Sequence, residues 1–442
     1  MLDPQFIVDN KQRVQSAADN KDVDVDVDEF VDIYSRRGEL LQQIEELRAE
    51  RNDNANEIKK SDGKPPEDLI KKGREIKQNL VNLEEKFDSI DDKYTTLIYK
   101  IPNVHGEDTP VGRSEKDNTI SETIGEKPEY NFEPKQHDEL GETLGLIDQE
   151  HAAKVSGSRF AYLFGDIVKM QFGLIRLGLD TLTSQQKLEE IINDSGLKNV
   201  SAKPFIPALP PVMMRTEPYQ RTARLKPQDV TYKLADDDAW LIGSAEHSLC
   251  SYHMDEIINS EAFPIRYVGY STSFRREAGS YGQDTTGIFR LHHFDKLEME
   301  SFTKPEDGRK EHQLMIEVQK YLMKQLGLPF QVVIKCTADL GAPNYRGVDI
   351  ETWFSGQKQY RETHSADFMT DYQARRLNTR YEDEGGDKHY VHTNDATVFA
   401  MGRTLAAIIE YYQQVDGSIV VPEVLRDDVG RDAIHANAYK QS

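Results

Sequence analysis

The sequence predicts an α+β protein, with a two-helix hairpin ahead of a larger domain that contains an antiparallel pair of strands. Three observations predict it. Within the first hundred residues, apolar positions recur in alternating steps of four and three, the rhythm of helices packed along a seam. A helix-breaking run, SDGKPP (Ser61 to Pro66), divides that repeat in two. Between Thr272 and Glu300, two runs that can pair as strands flank the turn-rich GSYGQDTTG (Gly279 to Gly287).

The elements follow in order. DVDVDVD (Asp22 to Asp28) reads as an acidic connector that ends by capping the first long helix, with Asp28 and Glu29 near its positive end. Ile33, Arg37, Leu40, Ile44, Leu47, Arg51, Asn54 and Ile58 form one seam; Leu69, Gly73, Ile76, Leu80, Leu83, Phe87, Ile90, Tyr94, Leu97 and Ile101 form the other. The chain reverses between them, so the pair is an antiparallel coiled coil over residues 30–101, each arm about 27 helical residues and roughly 40 Å long. A coil this narrow buries little apolar area and reads as a reaching device; a dimerisation coil has the same period. Beyond Pro102 the chain turns polar and rich in Gly, Pro and Asp. Residues 1–110 are expected to form the arm, 111–136 a linker and 137–442 the second domain. In that domain an apolar helix is expected over Ile167 to Leu182, followed by the proline-rich strand region PFIPALPPVMMR (Pro204 to Arg215).

Composition narrows the function classes. The chain has 442 residues, 37% of them hydrophobic, enough for more than one core. Its two cysteines, Cys250 and Cys336, imply no disulfide framework and fit a reducing compartment. No apolar run approaches a membrane span, and MLDPQFIVDN lacks the basic and apolar regions of a signal peptide, so a cytoplasmic location is expected. The formal net charge of −22 argues against indiscriminate nucleic-acid binding, yet basic residues gather in the arm: Arg36, Arg37, Arg48, Arg51, Lys59, Lys60, Lys71, Lys72 and Arg74. Taken alone, mixed charges on helices are more often a solvated face than a binding surface.

Alternation along the strands makes the hairpin chemically distinctive. Arg275 and Glu277 share one face of the first run; Arg290, His292, Phe294, Lys296 and Glu298 share one face of the second. Such a face is poor core material, because buried unpaired charge is costly. It suits a nucleoside triphosphate, since arginine forks onto phosphate and a flat ring stacks on adenine.

FRRE (Phe274 to Glu277), the loop EAGSYGQDTTG and the following RLHHFDKLE resemble the second signature motif of class II aminoacyl-tRNA synthetases, in the form found in seryl-tRNA synthetases. AMGRTLAAIIEYYQQVDGSIVVPEVLR (Ala400 to Arg426) resembles the third motif, Asp349 to Tyr381 resembles the segment leading to the ATP site, and Pro211 with Val212 and Met213 fits the end of the first motif, where the family dimerises. The resemblance implies a catalytic domain built on an antiparallel β-sheet flanked by helices, a homodimer, ATP and Mg2+ as cofactors, and L-serine and tRNA(Ser) as partners. The family also charges tRNA(Sec), which makes it a further candidate substrate.

Carried over residue by residue, Arg275, Glu277 and Arg403 take the catalytic positions. The ATP set adds Arg276, Arg290, the stacking ring Phe294, and Glu362, Thr363, His364 and Ser365, with Glu362 and Ser365 at the magnesium position. Ser244, Ala245, Glu246, Glu298 and Thr397, again with Arg275, match serine-contacting positions. The arm implies a contact to the long variable arm of the tRNA through the basic residues named above. Two departures stand out: Ser244 occupies a usual threonine position, and Asp395 a usual asparagine. His364 stands where the family more often has a small residue, and Thr183 to Lys203 is longer than usual. His247, Cys250 and His253 have metal-like spacing without a fourth ligand nearby, and LCSYHMDEII reads as a buried strand running into a helix start. Two other readings remain at this point: a homologous ligase that activates another small amino acid or loads a carrier protein, and a non-catalytic RNA-binding paralogue.

Overall fold

In the computed structural model, residues 1–61, 63–226, 228, 230–277 and 286–435 are described. The chain divides into two units, Met1–Val104 and His105–Ser442.

In the first unit, α1 (Pro4–Asp9) and α2 (Lys11–Asn20) precede the long helices α3 (Val27–Lys60) and α4 (Glu67–Lys100). Asp26 caps α3 by accepting from the amides of Asp28 and Glu29, which places both acidic residues at the positive end of the helix. Each long helix has 34 residues and so spans about 51 Å, longer than expected. Val27 and Phe30 extend the seam, and Phe30 lies 6.1 Å from Tyr34 and 5.6 Å from Tyr94 between ring centroids. Ile44, Ile76 and Leu80 form the buried middle of the seam. Near the tip, Asn54 donates to the Leu69 carbonyl at 3.1 Å, and Gly73 leaves the room that Asn54 fills.

The second unit is built on an eight-stranded sheet. Its strands are β1 (Thr119–Ile124), β2 (Ile206–Ala208), β3 (Ile265–Phe274), β4 (His293–Thr303), β5 (Phe330–Ile334), β6 (Arg346–Phe354), β7 (Gln359–Thr370) and β8 (His392–Ala400). In space they run β1-β5-β6-β7-β8-β4-β3-β2. Every pair is antiparallel except β2 with β3. Helices α5 (Asp166–Leu182), α6 (Gln185–Ser195), α7 (Gly308–Gln325) and α8 (Met401–Tyr411) build the core with the sheet, joining residues such as Leu174, Met315 and Ile408 to Leu297, Val398 and Ile350. Gly178 lets α5 approach closely, because a Cβ there would lie 2.6 Å from Leu297 and 2.8 Å from Val398.

The expected domain boundaries need correction. Residues 105–110 belong to the second unit: the Gly106 amide donates to the Tyr345 carbonyl at 2.8 Å, and Asp108 pairs with Arg309 at 2.7 Å and Arg346 at 2.8 Å. The expected linker 111–136 contains β1, an edge strand whose exposed residues hid its pairing, since a ladder needs backbone groups rather than apolar side chains. Further along, the Tyr130 hydroxyl donates to the Tyr411 carbonyl at 2.6 Å. The long stretch after Leu182 forms α6, capped by Ser184 and buried through Leu188, Ile191 and Ile192. Among the described residues no helix is long and apolar enough to cross a membrane.

Candidate active site

The β3–β4 ladder sets the site. Ser273 faces Phe294, Ser271 faces Lys296 and Gly269 faces Glu298. Both strands are shorter than expected, ending at Phe274 and starting at His293, so Arg275 to Glu277 and Arg290 to His292 lie just past the ladder. One further bond, from the Arg275 amide to the His292 carbonyl at 3.0 Å, holds the two segments together. Glu277 then leaves the extended conformation with φ +52°. Residues 278–285 of the turn-rich loop lie outside the described residues.

Nine of the expected residues line one cleft of about 570 Å³, counted out to bulk solvent: Arg275, Glu277, Arg290, Phe294, Glu362, Thr363, Ser365, Thr397 and Arg403. Arg275 donates through Nε to the Gly243 carbonyl at 3.1 Å and lies 5.3 Å from the Phe294 ring centre. Arg290 Nη1 is 3.1 Å from Glu277 Oε2. Arg403, in the first turn of α8, meets Glu362 Oε1 at 2.9 Å and also donates to the Glu362 carbonyl at 3.1 Å. Gly402 makes this close start possible, since a Cβ there would lie 2.3 Å from the Ile288 carbonyl oxygen. A register shift between Thr397 and Phe399 against β4 adds a residue to β8 beside Thr397.

Some expected residues do not reach the cleft. Arg276 alternates away from Arg275 and lies 4.6 Å from the Tyr232 ring. His364 faces the core, where its Nδ1 is 2.9 Å from the Thr363 hydroxyl and burial pushes its pKa down to about 3. Thr363 borders the cleft while its hydroxyl meets that of Thr352 at 2.7 Å. His292, expected on the same face as Phe294, instead places Nδ1 2.9 Å from the Arg275 carbonyl.

Three of the residues expected to contact serine, Ser244, Glu246 and Glu298, gather around Lys296, a cleft-lining residue. Its Nζ lies 3.2 Å from Ser244 Oγ, 2.5 Å from Glu298 Oε2 and 3.9 Å from Glu246 Oε2. Ser244 and Ala245 are fully buried, at the start of the helix Ala245–Cys250. Glu246, Glu298 and Asp395 place carboxylate oxygens within 4.8 Å of one another. They cannot all ionise equally. Burial pushes Glu298 well up; burial also opposes ionisation of Glu246, but the Arg224 guanidinium overrides it and holds that carboxyl well below its usual range. Asp395 is pushed up to about 8 by burial, against the lowering pull of Arg224.

Sequence reasoning missed Lys296 as a site residue, although its position on the shared face was the signal. It also missed Phe289, which lines the cleft between Arg361 at 4.1 Å and Arg403 at 5.0 Å, and Arg224, which no motif marks. Of LCSYHMDEII, expected as a strand running into a helix start, Leu249 and Cys250 end the helix Ala245–Cys250, a turn follows, and only Ile257 and Ile258 are strand, in Ile257–Asn259. His247, Cys250 and His253 each meet separate partners: Tyr219, Gln373, and Glu256 with Tyr267.

Residues 1–105 match the seryl-tRNA synthetase N-terminal domain, and residues 231–412 match the tRNA synthetase class II core domain (G, H, P, S and T). A serine–tRNA ligase from Thermodesulfovibrio yellowstonii is 37% identical over 442 residues, covering 98% of this chain and 100% of that one. The chain belongs to the seryl-tRNA synthetase family. Another seryl-tRNA synthetase relative, the serine–tRNA ligase of Rubrobacter xylanophilus, is 36% identical and covers 98% of this chain and 99% of its own. The seryl-tRNA synthetase of Pyrococcus horikoshii, solved in complex with ATP, superposes with a TM-score of 0.88 at 34% identity, covering 99% of this chain and 100% of that one.

The Arg403–Glu362 pair gives a direct test. The Glu362 side chain is half exposed, and partial desolvation by its neighbours opposes its charge, but Arg403 outweighs this and, with Lys335 and Arg275, holds the pKa at about 2. In Arg403→Met the Glu362 titration should move up toward the ordinary glutamate range, near about 4.3, as followed by carboxyl-carbon NMR. An unmoved titration would show that Arg403 does not set this charge.

Proposed function

We propose that the cleft joins L-serine to ATP as seryl-adenylate and then passes the seryl group to the 3′ end of tRNA(Ser). The observation that carries this reading is that Arg275, Glu277, Arg290, Phe294, Glu362 and Arg403, drawn from three separated segments, line one cleft beside a nest of carboxylates. In the first step a serine carboxylate oxygen bonds to the α-phosphorus, and the bond to the bridging oxygen of pyrophosphate breaks. Negative charge crowds that point, and preorganised cations relieve it. Arg275, fixed by the Gly243 carbonyl and the Phe294 ring, takes the serine carboxylate and the α-phosphate. Arg290, oriented by Glu277, and Arg403, oriented by Glu362, take the outer phosphates. Phe294 stacks on adenine.

At the deep end, Glu246 and Glu298 receive the substrate ammonium and hydroxyl, with Ser244 and Thr397 as further hydroxyl partners. Buried polar groups that the wrong amino acid would leave unpaired give selectivity. Glu362 and Ser365 fit magnesium, because Glu362 stays ionised and both offer hard oxygen. They would hold the ion, which neutralises charge on phosphate oxygens when bound.

The N-terminal hairpin contacts the tRNA in this reading. Several expected basic residues are already paired within it: Arg37 with Asp91 at 2.6 Å, Arg48 with Glu84 at 2.8 Å, Lys72 with Glu50 at 3.0 Å and Arg36 with Asp32 at 3.1 Å, while Lys71 and Glu75 sit 4.0 Å apart. Arg51, Lys59, Lys60 and Arg74 are exposed, and no ion pair holds them among the described residues, so they are favoured for phosphate contacts. A second copy of the chain is proposed to cover the edge near β2, where Ile206, Leu209 and Met213 are 54%, 83% and 52% exposed. The cytoplasm, where ATP and tRNA meet, is the proposed compartment.

Serine-dependent exchange of pyrophosphate into ATP tests the first step. Serine should support exchange far better than threonine, alanine or glycine, and Arg275→Ala should lower the rate by about 100- to 1000-fold while the circular dichroism spectrum stays native. Preference for another amino acid, or full activity in the variant, would overturn the reading. Removing residues 37–97 should spare exchange but cripple tRNA charging. Unchanged charging would remove the hairpin from RNA recognition.

A further inference from the structure

Arg224 belongs to none of the matched motifs, yet it is placed at the centre of the carboxylate nest. It follows the short helix Thr216–Arg221 and comes directly after Ala223, whose backbone is left-handed at φ +61°. Its side chain is 14% exposed. Nη2 donates to Asp395 Oδ2 at 2.6 Å and lies 3.7 Å from Asp367 Oδ2, while Nε lies 3.3 Å from Glu246 Oε1. Those carboxylates come from β8, β7 and the helix Ala245–Cys250, so one guanidinium ties together three elements that are distant in sequence.

Two of the three, Glu246 and Asp395, join Glu298 in the group whose oxygens lie within 4.8 Å of one another. Lys296, which lines the cleft, contacts Glu298 and approaches Glu246 from the other side. Arg224 therefore backs the carboxylates from behind, while Lys296 meets them from the cleft. Asp395 also replaces the asparagine usual in the family. A buried carboxylate needs a counter-ion that an amide does not, and Arg224 supplies it.

We propose that Arg224 is the positioning residue for amino-acid recognition in this chain, fixing Glu246 and Asp395 so that the deep end of the cleft receives the ammonium group of serine. The proposal rests on the reading of the cleft as a serine-activating site. Arginine suits the task because its rigid fork can hold two carboxylates at set angles, where lysine offers a single point charge. Without the guanidinium, Glu246 loses the cation 3.3 Å away that keeps it ionised beside Asp395 and Glu298, and it takes up a proton, which removes a charge that the ammonium needs.

Pyrophosphate exchange on Arg224→Gln, Arg224→Lys and the double variant R224Q/D395N tests this. In Arg224→Gln the KM for serine should rise about tenfold or more while the KM for ATP stays within about twofold, because the lost contact serves the amino acid alone. Serinamide, which keeps the ammonium but lacks the carboxylate, should weaken as an inhibitor by the same factor. Arg224→Lys should fall between Arg224→Gln and wild type. The double variant, which removes the carboxylate together with its counter-ion, should return to within about threefold of the wild-type KM for serine.

An unchanged KM for serine in Arg224→Gln, or an equal rise in the KM for ATP, would overturn the proposal. So would serinamide inhibition that stays at wild-type strength. If Arg224→Gln does not fold, the double variant decides, and a tenfold rise there contradicts the compensating pair. Absence of serine-dependent exchange in the wild-type protein would instead defeat the underlying reading.

Discussion

Buried like charge is the constraint around which the second unit is organised. Glu246, Glu298, Glu300, Asp367 and Asp395 crowd together with Arg224 and Lys296 as the cations among them. A hydrophobic core would not tolerate such an arrangement without partners, and breaking one buried pair leaves an uncompensated charge behind. β4 lies between β3 and β8, and the register sets Glu298 opposite Thr397 and Glu300 opposite Asp395.

That arrangement also separates two tasks within one cleft. Around Arg290 and Arg403, the charges are arginines paired with Glu277 and Glu362, whose carboxylates orient the guanidinium groups. Toward the helix Ala245–Cys250, the excess is acidic. A zwitterionic amino acid fits between such ends, its carboxylate toward the arginines and its ammonium toward the acids. Arg275 stands at the junction, held from one side by Gly243 and from the other by Phe294.

Much of this was legible in the sequence because it depends on local period and motif order. The heptad steps and SDGKPP located both long helices, and alternation placed Phe294, Lys296 and Glu298 on one face. The misreadings have physical causes. β1 is exposed and joins the sheet through its backbone, so its residues carry no apolar alternation. His364 falls between the cleft-lining Glu362 and Ser365 on β7; a register shift against β6 makes Thr363 an extra residue and breaks the plain alternation, so His364 faces the core instead of sharing the face of Glu362. Arg224 was invisible because its significance arises only when β7, β8 and the helix Ala245–Cys250 converge on it.

The most direct test of the central claim is a crystal structure with seryl sulfamoyl adenosine, a stable mimic of the adenylate. The account places its sulfamoyl group at Arg275, its adenine against Phe294 and its ammonium among Glu246, Glu298 and Asp395. A ligand bound with its amino-acid end toward Arg403, or outside the cleft, would contradict it.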